Sequence, residues 1–116
     1  MKKISLLILA GLLALSCLFS SNIDELLIKA QENDSSAQAL LALEYEKQEN
    51  KEQTVFWYEK AIENNNDVAM YNLGFLYYMG SVVDKDEAKG IELIVQSAKL
   101  ENTQAIFFIN HFLKKQ

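Results

Sequence analysis

The sequence predicts an all-α fold, a short α-solenoid of antiparallel helix pairs. One observation is a motif of Ala, Leu, a small residue and Tyr at positions i, i+4, i+5 and i+8, a spacing that lies on one face of a helix. The other is its repetition, because the motif of Ala37 to Tyr45 returns 32 residues later in Ala69 to Tyr77. A period of about 20–50 residues is typical of solenoids and related repeat architectures. The composition, 50% hydrophobic, excludes low-complexity disorder.

The first element along the chain is a leader, residues 1–20. Lys2 and Lys3 precede an apolar run from Ile4 to Leu15, which is the plan of a secretory signal peptide. A transmembrane anchor is the alternative, although a bilayer span needs about 20 apolar residues and this run is shorter. The exported part, residues 21–116, has the size of one small domain.

The only cysteine, Cys17, lies where the leader ends. The segment Ala14-Leu15-Ser16-Cys17 resembles the lipobox of bacterial lipoproteins, which implies that Cys17 receives a lipid. Ordinary cleavage after Ser16 or Ser20 is the alternative. In both cases we expect an exported protein, either periplasmic or anchored to the outer membrane, whose domain folds without an internal disulfide.

Six helices are predicted in the exported part. They are Ile23 to Glu32, Ser35 to Lys47, Lys51 to Glu63, Asp67 to Met79, Lys85 to Leu100 and Thr103 to Lys114. They form a half-repeat (23–34), two repeats (35–66 and 67–102) and a terminal helix (103–116). Asn50 followed by Gln53 is typical of a helix start, and Gly80 suits a left-handed helix end. Asp84 with Glu87 three residues later predicts a capping box that opens the fifth helix.

The small residue of the repeated motif has a packing role. It is Ala42 in one repeat and Gly74 in the other. A small side chain there lets the second helix of the pair cross closely, and Tyr45 and Tyr77 then fill the space beside the crossing.

The segment Ala69 to Asn102, with Leu73-Gly74, Tyr77 and Gly80, resembles a Sel-1-like repeat, a relative of the tetratricopeptide repeat. Trp57-Tyr58-Glu59-Lys60-Ala61 is similar to the second-helix signature of the same family, and it aligns 36 residues upstream of Leu93 to Ser97. The resemblance implies a curved helical stack that binds other polypeptides and performs no chemistry of its own.

The resemblance also implies which residues line a binding groove. In related repeats they lie on the first helix of each pair, at fixed distances from the conserved Leu. The predicted partner-binding residues are Leu43, Lys47, Tyr71, Phe75, Tyr78, Met79, Phe107 and His111, with Ala39, Glu46, Lys114 and Lys115 at the remaining groove positions. Aromatic residues and Met suit such a groove, but the alternative that several of them are core residues stays open at this stage.

The terminal helix is apolar nearly all round. We therefore expect Phe108 and Phe112 to form an exposed patch that contacts a partner or a second copy in a homodimer. Alternatively, the N-terminal helix or the loop at Ser81 covers them.

The sequence is poorly supplied with catalytic or metal-binding groups. His111 is the only histidine, which excludes a two-histidine zinc site, and no cofactor or metal is expected. Asp84-Lys85-Asp86 begins like a calcium loop, but Lys89 and Val95 stand where such a loop needs Gly and Glu. All eleven basic residues are lysine and the net charge is −5, so a nucleic acid is not an expected partner.

These observations predict a non-catalytic protein-interaction module of the bacterial cell envelope, in contact with the membrane only through its leader or lipid. One alternative comes from the resemblance, since some cysteine-rich exported relatives are described as β-lactamases, although no serine here starts a Ser-x-x-Lys element. The other is an immunity or chaperone-like protein whose acidic surface neutralises a basic partner.

Overall fold

The computed structural model describes residues 22–116, and every regular element in that range is a helix. The helices are α1 (residues 22–31), α2 (Ser35–Lys47), α3 (Lys51–Glu63), α4 (Asp67–Met79), α5 (Glu87–Lys99) and α6 (Thr103–Phe108), followed by a π-helix (Ile109–Leu113). The all-α prediction is confirmed. The predicted leader and Cys17 lie outside the described residues. Within residues 22–116, no helix has the length and hydropathy that a membrane span requires.

The first helix of each unit begins with the same hydrogen bond. An Asp or Asn side chain accepts from the backbone N–H of an alanine three residues later, and the residue before the cap has a positive φ. The capping residues are Asp34, Asn66 and Asn102. They accept from the N–H groups of Ala37, Ala69 and Ala105, respectively, and the positive-φ residues that precede them are Asn33, Asn65 and Glu101. Because the side chain satisfies an amide that the helix leaves free, the repeat in sequence becomes a repeat of helix starts.

The predicted helix boundaries agree with the structure for α2, α3 and α4. The Asn50 side chain accepts from the Gln53 N–H at 3.2 Å, and Gly80 is left-handed with φ of 68°, as expected. The capping box at Asp84 is wrong. Asp86 caps α5 instead, because its own N–H donates to the Tyr77 carbonyl at 2.9 Å and so fixes the start of the helix two residues later.

The helices pack in two antiparallel pairs, α2 with α3 and α4 with α5, and α3 packs on α4 to stack one pair on the other. The main core contains Leu41, Tyr58 and Leu73, each at most 1% exposed. In the second pair the crossing is closer than the sequence indicated, since Gly74 faces another glycine, Gly90.

The terminal helix differs from its prediction in two ways. It is α-helical only to Phe108 and continues as a π-helix to Leu113, rather than as one α-helix to Lys114. Phe108 is also only 3% exposed, because it forms a second core cluster with Ile94 and Ala105. The expectation that Phe108 belongs to an exposed patch is therefore wrong. The cover comes neither from the N-terminal helix nor from the loop at Ser81, but from aromatic side chains of α4.

Candidate protein-interaction surface

The surface most suited to binding lies on α4 and on the terminal helix beside it. It consists of partly or fully exposed apolar side chains, and we call it the aromatic face. Its members are Val68, Tyr71, Phe75, Tyr78, Met79 and Phe112. All but Val68 and Phe112 are among the predicted partner-binding residues, and Phe112 is the member of the predicted terminal patch that stays exposed.

One stripe of α4 carries the exposed part of this face. Val68, Phe75 and Met79 are 44%, 38% and 56% exposed, and their spacing of i, i+7 and i+11 places them on one side of the helix. Over eleven residues the stripe is about 16 Å long at the rise of an α-helix. Val68 is absent from the predicted set, although its distance from Phe75, two full turns, was a signal for it. Exposed apolar patches are candidate interaction sites.

Ring contacts hold the aromatic face in shape. The Phe108 ring lies edge-on to the rings of Phe75 and Tyr78, with centroids 6.2 and 5.0 Å apart. Phe112 stacks on Phe108 at 5.2 Å, and Tyr71 stacks on Phe75 at 6.0 Å. These distances are typical of favourable aromatic pairs. Buried Phe108 therefore acts as the support that fixes α4 and the π-helix relative to each other.

Burial also affects the Tyr71 phenol. Partial burial raises the pKa of Tyr71 above its ordinary value, because the charged phenolate would lose solvation there. Tyr71 and Tyr78 are half-buried against the second core cluster, so each contributes one side to the core and the other to the surface. The sequence left open whether these residues line a binding groove or belong to the core. Both descriptions apply to Tyr71 and Tyr78.

The predicted residues of the first repeat form a different environment. Leu43 is half-buried, and the exposed Lys47 ammonium is paired with the Glu44 carboxylate at 2.8 Å. The buried Tyr58 hydroxyl donates to Glu46 at 2.7 Å. Burial, reinforced by this bond, holds the pKa of Tyr58 well above its ordinary range. Both acids of α2 are thus already engaged, Glu44 by Lys47 and Glu46 by the Tyr58 hydroxyl.

The last predicted pair, Phe107 and His111, lies on the terminal helix. Phe107 is 57% exposed, its ring stacks on the imidazole at 4.0 Å, and His111 Nδ1 lies 2.9 Å from the Phe107 carbonyl oxygen. These two residues contact each other, and the ring contacts that link the aromatic face do not include them.

Two cavities lie elsewhere. One of about 600 Å³ is lined by α1 and α2, including Ile23, Leu26 and the ion-paired Glu25 and Lys29. The other, of about 380 Å³, lies on α3 around Phe56. Over residues 22–116, no three histidine or carboxylate side chains are close enough together to hold a metal ion. The exposed aromatic face is therefore the main candidate site.

Comparison with known proteins agrees with this geometry. The family model described as Sel1 repeat matches residues 35–66 and 67–102. No curated protein matches the chain. Sel1 repeats are protein-interaction modules, and the family is generally a non-catalytic scaffold.

Proposed function

Because the chain belongs to the Sel1 repeat family, we propose that it is a non-catalytic binding protein of the bacterial cell envelope that holds a peptide segment of another protein on its aromatic face. The observation that carries this proposal is the stripe of Val68, Phe75 and Met79, left exposed on a helix whose other sides pack against α3 and α5. Stacked helical pairs commonly use such a surface to hold polypeptides.

The energetics favour apolar anchors. Fully burying a Phe or Met side chain contributes roughly 1.5–3 kcal/mol, and the half-exposed residues here retain a fraction of that amount for a partner. The cost of ordering the surface is small, because Phe75 already lies between the rings of Tyr71 and Phe108. A site held in its binding conformation loses less entropy on association.

The test compares two phenylalanines. Phe75 lies on the aromatic face and is 38% exposed, whereas Phe56 lies on α3 and is 46% exposed. Phe75→Ser and Phe56→Ser variants make the same chemical change at similar exposure. We expect envelope proteins captured by the wild-type chain to be recovered about tenfold less by Phe75→Ser, equivalent to about 1.4 kcal/mol, and equally well by Phe56→Ser.

Captured proteins are quantified by mass spectrometry, with circular dichroism confirming that both variants keep their helices. Equal recovery by the two variants would contradict the proposed site. Loss of recovery by Phe56→Ser alone would move the binding surface to α3.

The setting in the envelope is a second part of the proposal. Its support is the sequence of the leader, residues 1–20, with Cys17 as the lipid acceptor. We expect the chain to incorporate labelled fatty acid in a bacterial host and a Cys17→Ser variant to lose the label. An unlabelled wild-type protein found in the periplasmic fraction would contradict lipidation while leaving export intact. Retention in the cytoplasm would contradict both.

A second copy of the chain is an alternative partner for this surface, and the terminal helix suggests it. Phe112 is 54% exposed and Phe107 57%, so this helix still offers apolar area after Phe108 is assigned to the core. Sedimentation equilibrium of the wild-type chain and of Phe112→Ser distinguishes the cases. A dimer that Phe112→Ser dissociates supports a homodimer, whereas a monomer leaves the face to a foreign segment.

A further inference from the structure

The charges of the molecule are distributed unevenly around the aromatic face. Sixteen acidic residues make the chain acidic as a whole. Yet α4 carries a single charged residue, Asp67 in its first turn, and residues 103–116 contain no acid. The neighbouring acids of α2 are already bound, Glu44 to the Lys47 ammonium and Glu46 to the Tyr58 hydroxyl. An approaching partner therefore meets little free negative charge on this face.

Lysines mark one edge of the same surface. Lys114 and Lys115 directly follow the π-helix that carries Phe112, a member of the aromatic face. Because the first helices of stacked pairs run in the same direction, their carboxyl ends lie along one edge of the stack. We call Lys114 and Lys115 the cationic edge; both are exposed, and Met79 lies at the carboxyl end of α4, the preceding first helix. Lys47 is not part of it, since its ammonium is paired with the Glu44 carboxylate.

We infer that the segment bound by this protein is acidic and amphipathic. Its aliphatic or aromatic side chains contact the aromatic face, and Asp or Glu residues at one end contact the cationic edge. This inference rests on the proposed function and names the chemistry of its partner. A basic segment is disfavoured, since it would place its charges against Lys114 and Lys115 and find the acids of α2 already engaged.

The experiment selects binders without assuming their sequence. Random short peptides displayed on phage are panned against the immobilised full chain, purified from a bacterial host. The enriched peptides are then synthesised for fluorescence anisotropy. We expect an enriched pattern of apolar residues followed by Asp or Glu. The Lys114→Glu/Lys115→Glu variant should bind these peptides about tenfold more weakly, since two attractions become repulsions.

A matched variant controls for net charge. Lys89 and Lys99 are exposed on α5, and the Lys89 ammonium lies over the Tyr77 ring, on the side of α4 opposite the exposed stripe. Lys89→Glu/Lys99→Glu therefore makes the same change of charge away from the face. It should bind the selected peptides like the wild-type chain.

The outcomes separate this inference from the proposed function. Enrichment of basic or uncharged peptides whose binding still needs Phe75 would overturn the inference and retain the binding face. An equal loss in the two charge-reversal variants would also overturn it. Failure to enrich any peptide that depends on Phe75 would contradict the face itself.

Discussion

Replacing Gly90 with alanine tests the closest packing in the molecule. A Cβ atom at Gly90 would lie 2.6 Å from the Gly74 carbonyl oxygen, 2.6 Å from the Tyr78 nitrogen and 3.0 Å from the Tyr78 Cα. All three are backbone atoms of α4, so no side chain can turn aside to make room. The variant accommodates its methyl group only if α4 and α5 move apart.

The expected loss of stability combines two opposing terms. Overpacking a core typically costs about 1–3 kcal/mol, and contact with rigid backbone places Gly90→Ala at the upper end. Alanine regains about 1 kcal/mol because it stabilises a helix relative to glycine. The net expectation is a loss of about 2 kcal/mol, or roughly 10 °C in Tm for a domain of this size.

The assay is thermal unfolding followed by circular dichroism, with Glu92→Ala on the exposed side of α5 as the control, expected within about 0.5 kcal/mol of the wild type. Gly74→Ala should cost less, because its Cβ would lie 2.8–3.0 Å from its three nearest neighbours and one of these, Ile94 Cγ1, belongs to a side chain that can rotate. The double variant Gly74→Ala/Gly90→Ala should lose less stability than the sum of the two single losses, since the helices need to separate only once. A Gly90→Ala protein as stable as the wild type would refute the argument.

Three further variants test the local structure. Gly80→Ala should cost about 1–2 kcal/mol in urea unfolding, because the residue has a φ of 68° and its Cβ would lie 2.7 Å from that of Lys85. Asn102→Ala should cost about 1 kcal/mol and speed amide exchange in α6, since the side chain caps that helix and also donates to a carboxylate of α4. Tyr58→Phe should cost about 1.5 kcal/mol through loss of the hydrogen bond to Glu46. Because the folded state raises the pKa of Tyr58, its contribution is complete below about pH 10 and falls above it, so urea midpoints of wild type and Tyr58→Phe should converge with rising pH.

Much of the local structure follows from short-range sequence signals. The helix starts at Asp34, Asn66 and Asn102 depend on a side chain and an amide three residues apart, and the turn at Gly80 depends on one residue that tolerates a positive φ. Such features need no knowledge of the rest of the chain. The exceptions are informative, because Asp84 and Asp86 are equally able to cap a helix and only a contact with Tyr77 selects the second.

The candidate site was predictable in part. Tyr71, Phe75, Tyr78 and Met79 were identified from their positions in the repeat, and the structure places all four on one side of α4. How far each side chain is buried depends on the residues that the neighbouring helices place against it. Val68 was missed because the groove positions taken from related repeats did not extend to the first turn of α4.

By itself, then, the sequence determined the all-α repeat, the positions of most helices and the aromatic character of one helix, since these depend on spacing and on side chains a few residues apart. Only the tertiary structure decided which aromatics are buried. Phe108 and Phe112 are one helical turn apart and chemically identical, yet the first lies against Phe75 and Tyr78 while the second remains more than half exposed. Burial depends on what another helix places opposite a residue, and that information is distant in the chain.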